Sequence, residues 1–213
     1  RTAENLVSGL FFGLVIAMVL YNLFIFISTK SLSYLYYVLY VLFYGIMFFM
    51  QLGFGQRFLA PDSIWMGNNG IMFFTGLAIV FLLLSANKFL RLKEATPKLY
   101  RGMQFLVFLY FLLIPFSFIF SLSFNTKFTL LINLFTGPYT IFVGVYRVKM
   151  NYRPAKYFVL AFSFMVIGVI ILSLTTLKVL PINFFTTNAI YIGNAIEMIL
   201  LSMGLADRFN YDQ

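Results

Sequence analysis

The run Ile79-Val80-Phe81-Leu82-Leu83-Leu84 is apolar at every position, and it decides the fold class. The strands of an outer-membrane barrel alternate polar and apolar residues, whereas this run is apolar on every face. It lies within a longer apolar stretch, residues 69–86, which is close to the length of about 20 residues that a helix needs to cross a bilayer. The run therefore predicts a transmembrane α-helix.

Six further stretches of similar character lie along the chain, separated by loops that contain charge, Pro or Asn. Of the 213 residues, 62% are hydrophobic and only 10% are charged, whereas soluble domains are about 45–50% apolar and about 25% charged. The predicted fold is an all-α integral membrane protein, a single domain over residues 1–213 built as a bundle of seven transmembrane helices. The predicted spans are about 6–28, 32–52, 69–86, 103–123, 128–146, 157–177 and 188–206.

The basic residues predict an orientation, because short cytoplasmic loops collect Lys and Arg. One side of the predicted bundle holds eleven of them: Lys30, Lys88, Arg91, Lys93, Lys98, Arg101, Arg147, Lys149, Arg153, Lys156 and Arg208. The other side holds four: Arg1, Arg57, Lys127 and Lys178. We therefore expect the N-terminus outside and the C-terminus in the cytoplasm. Tyrosines at the start of the second span fit an interfacial belt on the cytoplasmic side, namely Tyr34, Tyr36 and Tyr37.

The residue types that are missing exclude several chemistries. The sequence has no Cys and no His, which excludes disulfides, thiolate nucleophiles, iron–sulfur clusters and imidazole bases or ligands. We predict no catalytic residues, no cofactor and no metal site. The net charge of +9 does not indicate a nucleic-acid partner, because the basic residues flank the spans and do not form one patch. Membrane lipids are the expected partners.

Glu197 is the ionisable residue nearest the middle of a predicted span. A charged side chain at that depth costs about 2.5–3.5 kcal/mol on insertion scales, so we expect it to face the bundle interior. The predicted intramembrane polar network joins Glu197 to Asn194, Asn22 and Asn133. Interhelical hydrogen bonding, a switch or proton-linked role, and contact with a ligand are the three interpretations of this carboxyl group.

Small residues spaced four apart predict two faces for close helix packing. In the first span they are Gly9, Gly13 and Ala17. In the seventh they are Ala189 and Gly193, with Glu197 four residues further on. We expect the first-span face to pack within the chain, and a second copy of the chain in a homodimer is the alternative. Two prolines inside spans, Pro115 and Pro138, predict kinks.

Several local patterns together resemble the seven-helix module of bacterial receptors with diverse intracellular signalling modules, the 7TM-DISM family. They are Tyr21-Asn22, Tyr34-Leu35-Tyr36-Tyr37, Gly53, Asn87-Lys88-Phe89-Leu90-Arg91-Leu92, Gly193-Asn194-Ala195-Ile196-Glu197 and Leu205-Ala206-Asp207. The resemblance implies a multi-pass sensor in the bacterial inner membrane. It also implies an extracytoplasmic sensor domain before the bundle and an output domain after it, such as a histidine kinase, a diguanylate cyclase or a phosphatase.

The expected function is therefore to relay an extracytoplasmic stimulus to a fused cytoplasmic effector domain. We expect the chain to be a segment of a longer protein, since it begins with Arg1 and since seven spans leave about ten residues for each connection. This segment itself is not expected to be an enzyme. The alternative function is a small-solute transporter or channel, an idea supported by three polar residues near the spans: Asn68, Asn69 and Asn133.

Overall fold

Long apolar stretches become helices in this chain, because in lipid every backbone N–H and C=O group must be paired within its own segment. The structure is a computed structural model that describes residues 2–59 and 63–212. In these ranges the chain forms nine α-helices and one π-helix, Gly55–Leu59. The α-helices are α1 (Thr2–Thr29), α2 (Leu32–Gln51), α3 (Ile64–Phe89), α4 (Leu92–Ala95), α5 (Pro97–Ile119), α6 (Leu122–Lys149), α7 (Ala155–Thr176), α8 (Phe184–Thr187) and α9 (Ala189–Asp212).

Seven of the helices in these ranges are long and apolar enough to cross a membrane. They are α1, α2, α3, α5, α6, α7 and α9. The prediction of an all-helical protein with seven candidate spans is therefore confirmed.

The fifth span begins earlier than predicted, since α6 starts at Leu122 and not near residue 128. Residues 124–127, which the sequence predicts to be the loop before this span, lie in the first turns of α6. Asn125 is completely buried, and its Nδ2 donates hydrogen bonds to the carbonyl oxygens of Phe116 and Phe120, both at 3.2 Å. Because the last carbonyls of a helix have no partner within it, a polar side chain next to the end of α5 stabilises that end.

Contacts between Cα atoms divide the chain into two compact units. Unit 1 comprises Arg1–Met18 and Ile141–Gln213, and unit 2 comprises Val19–Thr140. The boundaries fall inside α1 and α6. The assignment of a single domain stays a prediction.

In unit 2, α3 packs against both α2 and α5. Its core contains large side chains that are less than 2% exposed, including Tyr37, Tyr40 and Tyr110. The predicted interfacial belt on α2 is wrong for two of its three tyrosines, because Tyr34 and Tyr37 are buried. The helix turns these rings inwards, where the rings of Tyr37 and Tyr40 lie 6.1 Å apart.

In unit 1, α7 packs along α9, and the short helix α8 lies before α9 and contacts both. Asn183 begins α8 with a capping box, in which its side chain accepts a hydrogen bond from the Thr186 backbone N–H at 3.0 Å. The N-terminal part of α1 also belongs to this unit, where the rings of Phe11 and Tyr191 meet with centroids 5.3 Å apart.

Candidate functional site

The buried face of α9 carries three polar side chains in unit 1. Glu197 is 0% exposed, Asn194 is 1% exposed and Ser202 is 5% exposed. Asn194 and Glu197 are three residues apart, so they share a face of the helix with the apolar side chain of Met198. An ionisable group is therefore held inside the protein on α9, the last helix long and apolar enough to cross a membrane.

The rotation of α9 about its axis is set by a close contact with α7. A Cβ atom at Gly193 would lie 2.8 Å from the carbonyl oxygen of Phe164. A Cβ at Gly168 would lie 2.8 Å from the carbonyl oxygen of Ala189. Side chains do not approach backbone atoms this closely, so both positions require glycine. With one face of α9 held against α7 in this way, the direction in which Glu197 points is fixed.

Asn194 adds unused hydrogen-bonding capacity beside this carboxyl group. Its Oδ1 and Nδ2 atoms are both buried and have no hydrogen-bond partner among the described residues. A buried polar group without a partner costs about 1–3 kcal/mol, which a water molecule or a change in helix packing can recover. A carboxyl group accepts hydrogen bonds when ionised and can also donate one when neutral. The buried face of α9 therefore combines an ionisable group with two amide atoms that have no hydrogen-bond partner among the described residues.

The two other asparagines of the predicted network belong to unit 2. Asn22 on α1 is completely buried. Asn133 is exposed on α6, and its Oδ1 accepts a hydrogen bond from the Tyr110 hydroxyl group. Asn133, one of the residues that supported a transporter, thus has a partner within its own unit. The prediction that these asparagines surround Glu197 stays a prediction.

Tyr110 in unit 2 is a buried polar residue that the sequence reasoning missed. It is completely buried on α5, and its hydroxyl group bonds to Asn133 and, at 3.2 Å, to the Oγ1 atom of Thr136 on α6. One signal was available, because tyrosines prefer the membrane interface and Tyr110 lies well inside a predicted span. A tyrosine buried at that depth usually has a hydrogen-bond partner for its hydroxyl group.

The small-residue face of α1 has no close packing contact with the described residues, contrary to the expectation that it packs within the chain. Gly9, Gly13 and Ala17 are all exposed. A Cβ atom at Gly9 or Gly13 would meet nothing within 4 Å among the described residues. The reason is the rotation of α1, which directs Phe11 and Val15 inwards and leaves the small residues on the opposite side.

The two prolines lie inside continuous helices, Pro115 in α5 and Pro138 in α6. Each removes one backbone N–H donor from its helix. Of the asparagines near the third span, Asn69 has a buried Oδ1 with no partner among the described residues. The side chain of Asn68 lies outside the described residues.

Unit 1 also contains an apolar cleft of about 260 Å³ between α1, α8 and α9. Its lining residues are Val7, Leu10, Phe11, Leu14, Phe184, Asn188, Tyr191, Ile192 and Ala195. The amide Nδ2 of Asn188 is already used, since it donates to the Phe184 carbonyl oxygen at 2.8 Å. The cleft therefore suits hydrocarbon and not a polar solute.

The sequence matches the family described as 7TM diverse intracellular signalling over residues 4–208, from α1 into the last turns of α9. The chain belongs to this family. The resemblance carried by the local patterns is thereby confirmed, and the match takes in the buried face of α9. No curated protein and no solved structure matches the chain. As a member of the 7TM diverse intracellular signalling family, the protein is a multi-pass membrane protein and a transmembrane receptor module, and the family is not a known catalytic fold.

Proposed function

We propose that the chain relays an extracytoplasmic stimulus across the bacterial inner membrane to a cytoplasmic output domain that follows α9. The family to which it belongs is one of receptor modules for intracellular signalling. The outputs we consider are a histidine kinase, a diguanylate cyclase or a phosphatase, and the stimulus enters through a domain that precedes α1.

The distribution of basic residues supports this direction of signalling. Eleven lie on the side that we assign to the cytoplasm and four on the other. Among the eleven, Lys149, Arg153 and Lys156 are exposed around the connection between α6 and α7, where they can reach lipid headgroups. Among the four, Arg1 lies outside the described residues.

The observation that carries the proposal is the complete burial of Glu197 on α9. Ionisable residues inside membrane spans are expensive and mark functional positions by default. This one lies on the helix that continues without a break to Asp212, beyond the predicted end of the span. A change in the protonation or partner of Glu197 would therefore act on the same rigid element that leads towards the output domain.

The test is the basal output of the full-length protein in membranes, with Glu197→Gln and Glu197→Leu compared at matched expression. Allosteric coupling energies of about 1–3 kcal/mol correspond to changes of about 5- to 150-fold. We expect each variant to shift the basal output at least about fivefold, in the range of such couplings. The matched control is Glu94→Gln, because Glu94 is an exposed carboxylate on α4, and its output should stay at the wild-type level.

Wild-type output in both Glu197 variants would remove this carboxyl group from the mechanism. Equal shifts in the Glu94 control would show a general effect of charge, and would contradict the role given to the buried position.

A further inference from the structure

The connection between α6 and α7 is a tightly bonded turn. At the end of α6 the Tyr152 N–H donates to the Arg147 carbonyl oxygen at 3.2 Å, and the Asn151 N–H donates to that of Val148 at 3.0 Å. Asn151 has a positive φ of 59°, which Asn tolerates better than most residues. This pair of bonds and the left-handed residue form a Schellman motif, so the chain leaves α6 in one defined direction.

The motif places the ring of Tyr152 against the side chain of Arg147. The guanidinium carbon of Arg147 lies 4.6 Å from the centroid of the Tyr152 ring. Both residues are buried, at 6% and 5% exposure. A cation over an aromatic ring gains more when it is shielded from water, so this contact holds the ring firmly.

The same ring contacts the C-terminal end of α9. The centroids of Tyr152 and Tyr211 are 5.6 Å apart with an angle of 89° between the ring planes, which is the favourable edge-to-face arrangement. Beside them, Nη2 of Arg153 lies 3.7 Å from Oδ1 of Asp207. Asp207 and Tyr211 are four residues apart and so lie on one face of α9.

The aromatic contact is the stronger of the two. Arg153 is 70% exposed, and ion pairs with exposed partners contribute little. Without these contacts the last turn of α9 would be free to fray, as helix ends do, because Phe209 is 36% exposed and Tyr211 is 53% exposed.

We propose that these five residues, Arg147, Tyr152, Arg153, Asp207 and Tyr211, form an exit clamp. The exit clamp couples the end of α9 to the turn between α6 and α7, so a displacement of either helix beside the turn changes the direction in which α9 leaves the membrane. This inference rests on the proposed function, in which the output domain follows α9. It assigns to these residues the positioning of the exit helix.

The test is hydrogen–deuterium exchange of the amides at residues 207–211, together with output, in the full-length protein in nanodiscs. Tyr211→Ala is the first variant, since Tyr211 is 53% exposed and its loss leaves the core intact. We expect exchange to become roughly 5- to 30-fold faster, the factor that corresponds to one to two kcal/mol of lost local stability. Tyr152→Ala should give the same result, and Tyr152→Phe, which keeps the ring, should restore wild-type exchange.

The matched control is Tyr146→Ala. Tyr146 lies near the same end of α6, is 42% exposed, and has its ring beside Phe142 of its own helix. Its exchange at residues 207–211 should equal that of the wild type. Unchanged exchange in Tyr211→Ala and Tyr152→Ala, or equal acceleration in Tyr146→Ala, would overturn the exit clamp.

Output separates this inference from the proposed function. Faster exchange with altered output supports the exit clamp as a coupling element. Faster exchange with wild-type output, in a protein whose output responds to Glu197→Gln, overturns that role while the proposed function stands. If output responds to none of these variants, the proposed function fails, and the exchange rates alone then decide whether the clamp holds α9.

Discussion

Two faces of small residues look alike in the sequence and differ completely in the structure. On α9 and α7, Gly193 and Gly168 each lie where a Cβ would come within 2.8 Å of a carbonyl oxygen of the other helix. On α1, a Cβ atom added at Gly9 or Gly13 would have no atom of the described residues within 4 Å. The spacing of small residues therefore indicates that another helix backbone has room to pack closely against that face. It does not show that a helix packs there.

We expect the largest loss in the free energy of unfolding for Gly193→Leu. The added side chain would have to displace the backbone of α7, and overpacking of this kind typically costs about 1–3 kcal/mol and occasionally more. We expect at least about 3 kcal/mol here, because the obstacle is a backbone carbonyl and not a flexible side chain. Denaturant unfolding of the purified protein in mixed micelles measures this, and a loss below that of ordinary surface substitutions would contradict the close contact.

We expect a smaller loss in the free energy of unfolding where two helices are joined by side-chain hydrogen bonds and not by a close backbone contact. Tyr110→Phe removes the hydroxyl group that bonds to Asn133 and Thr136. Hydrogen bonds between membrane helices average about 0.6 kcal/mol in double-mutant cycles, so the free energy of unfolding should fall by about that amount. A double-mutant cycle with Asn133→Ala isolates the pair. If Tyr110→Phe lowered the free energy of unfolding as much as Gly193→Leu does, the expectation that the backbone contact contributes more than these hydrogen bonds would be wrong.

The smallest effect is expected for Gly13→Leu, the same substitution as the first on the other small-residue face. Because the position is open, stability should change by no more than about 0.5 kcal/mol, as for other surface substitutions. Unfolding under the same conditions as Gly193→Leu provides the comparison, and a large loss would show that this face is covered within the chain. Cross-linking of the same variant tests whether a second copy binds there.

The parts of this structure that follow from composition could be predicted, and those that follow from helix rotation could not. Apolar runs such as residues 79–84 can only be buried or face lipid, so seven helices were expected and were found. The rotation of α1 depends on which of its faces gains most from burial, and Phe11 and Val15 outweigh the small residues on the other side. The spacing of small residues alone does not show which face of α1 gains more from burial.

The candidate site shows the same division. Glu197 was predicted to be buried, because a carboxyl group in a span has to avoid lipid, and it is. The polarity of Asn125 predicts a loop, yet its side chain donates hydrogen bonds to two carbonyl oxygens at the end of α5. The buried position of Tyr110 does not follow from the sequence, because the partners of its hydroxyl group come from a different helix. Hydrogen bonds between helices require knowledge of which helices are neighbours, which a single sequence does not give.

The central claim is that a signal passes from the outside to the cytoplasm, and the orientation of α6 tests it most directly. Ser123 lies in the first turn of this helix, Met150 directly follows its last residue, and both are exposed. These 213 residues contain no cysteine, so Ser123→Cys and Met150→Cys each introduce a single thiol at a defined position in them. The proposed function predicts that a membrane-impermeant maleimide labels Ser123→Cys in intact cells and labels Met150→Cys only after permeabilisation. The reverse pattern would contradict it.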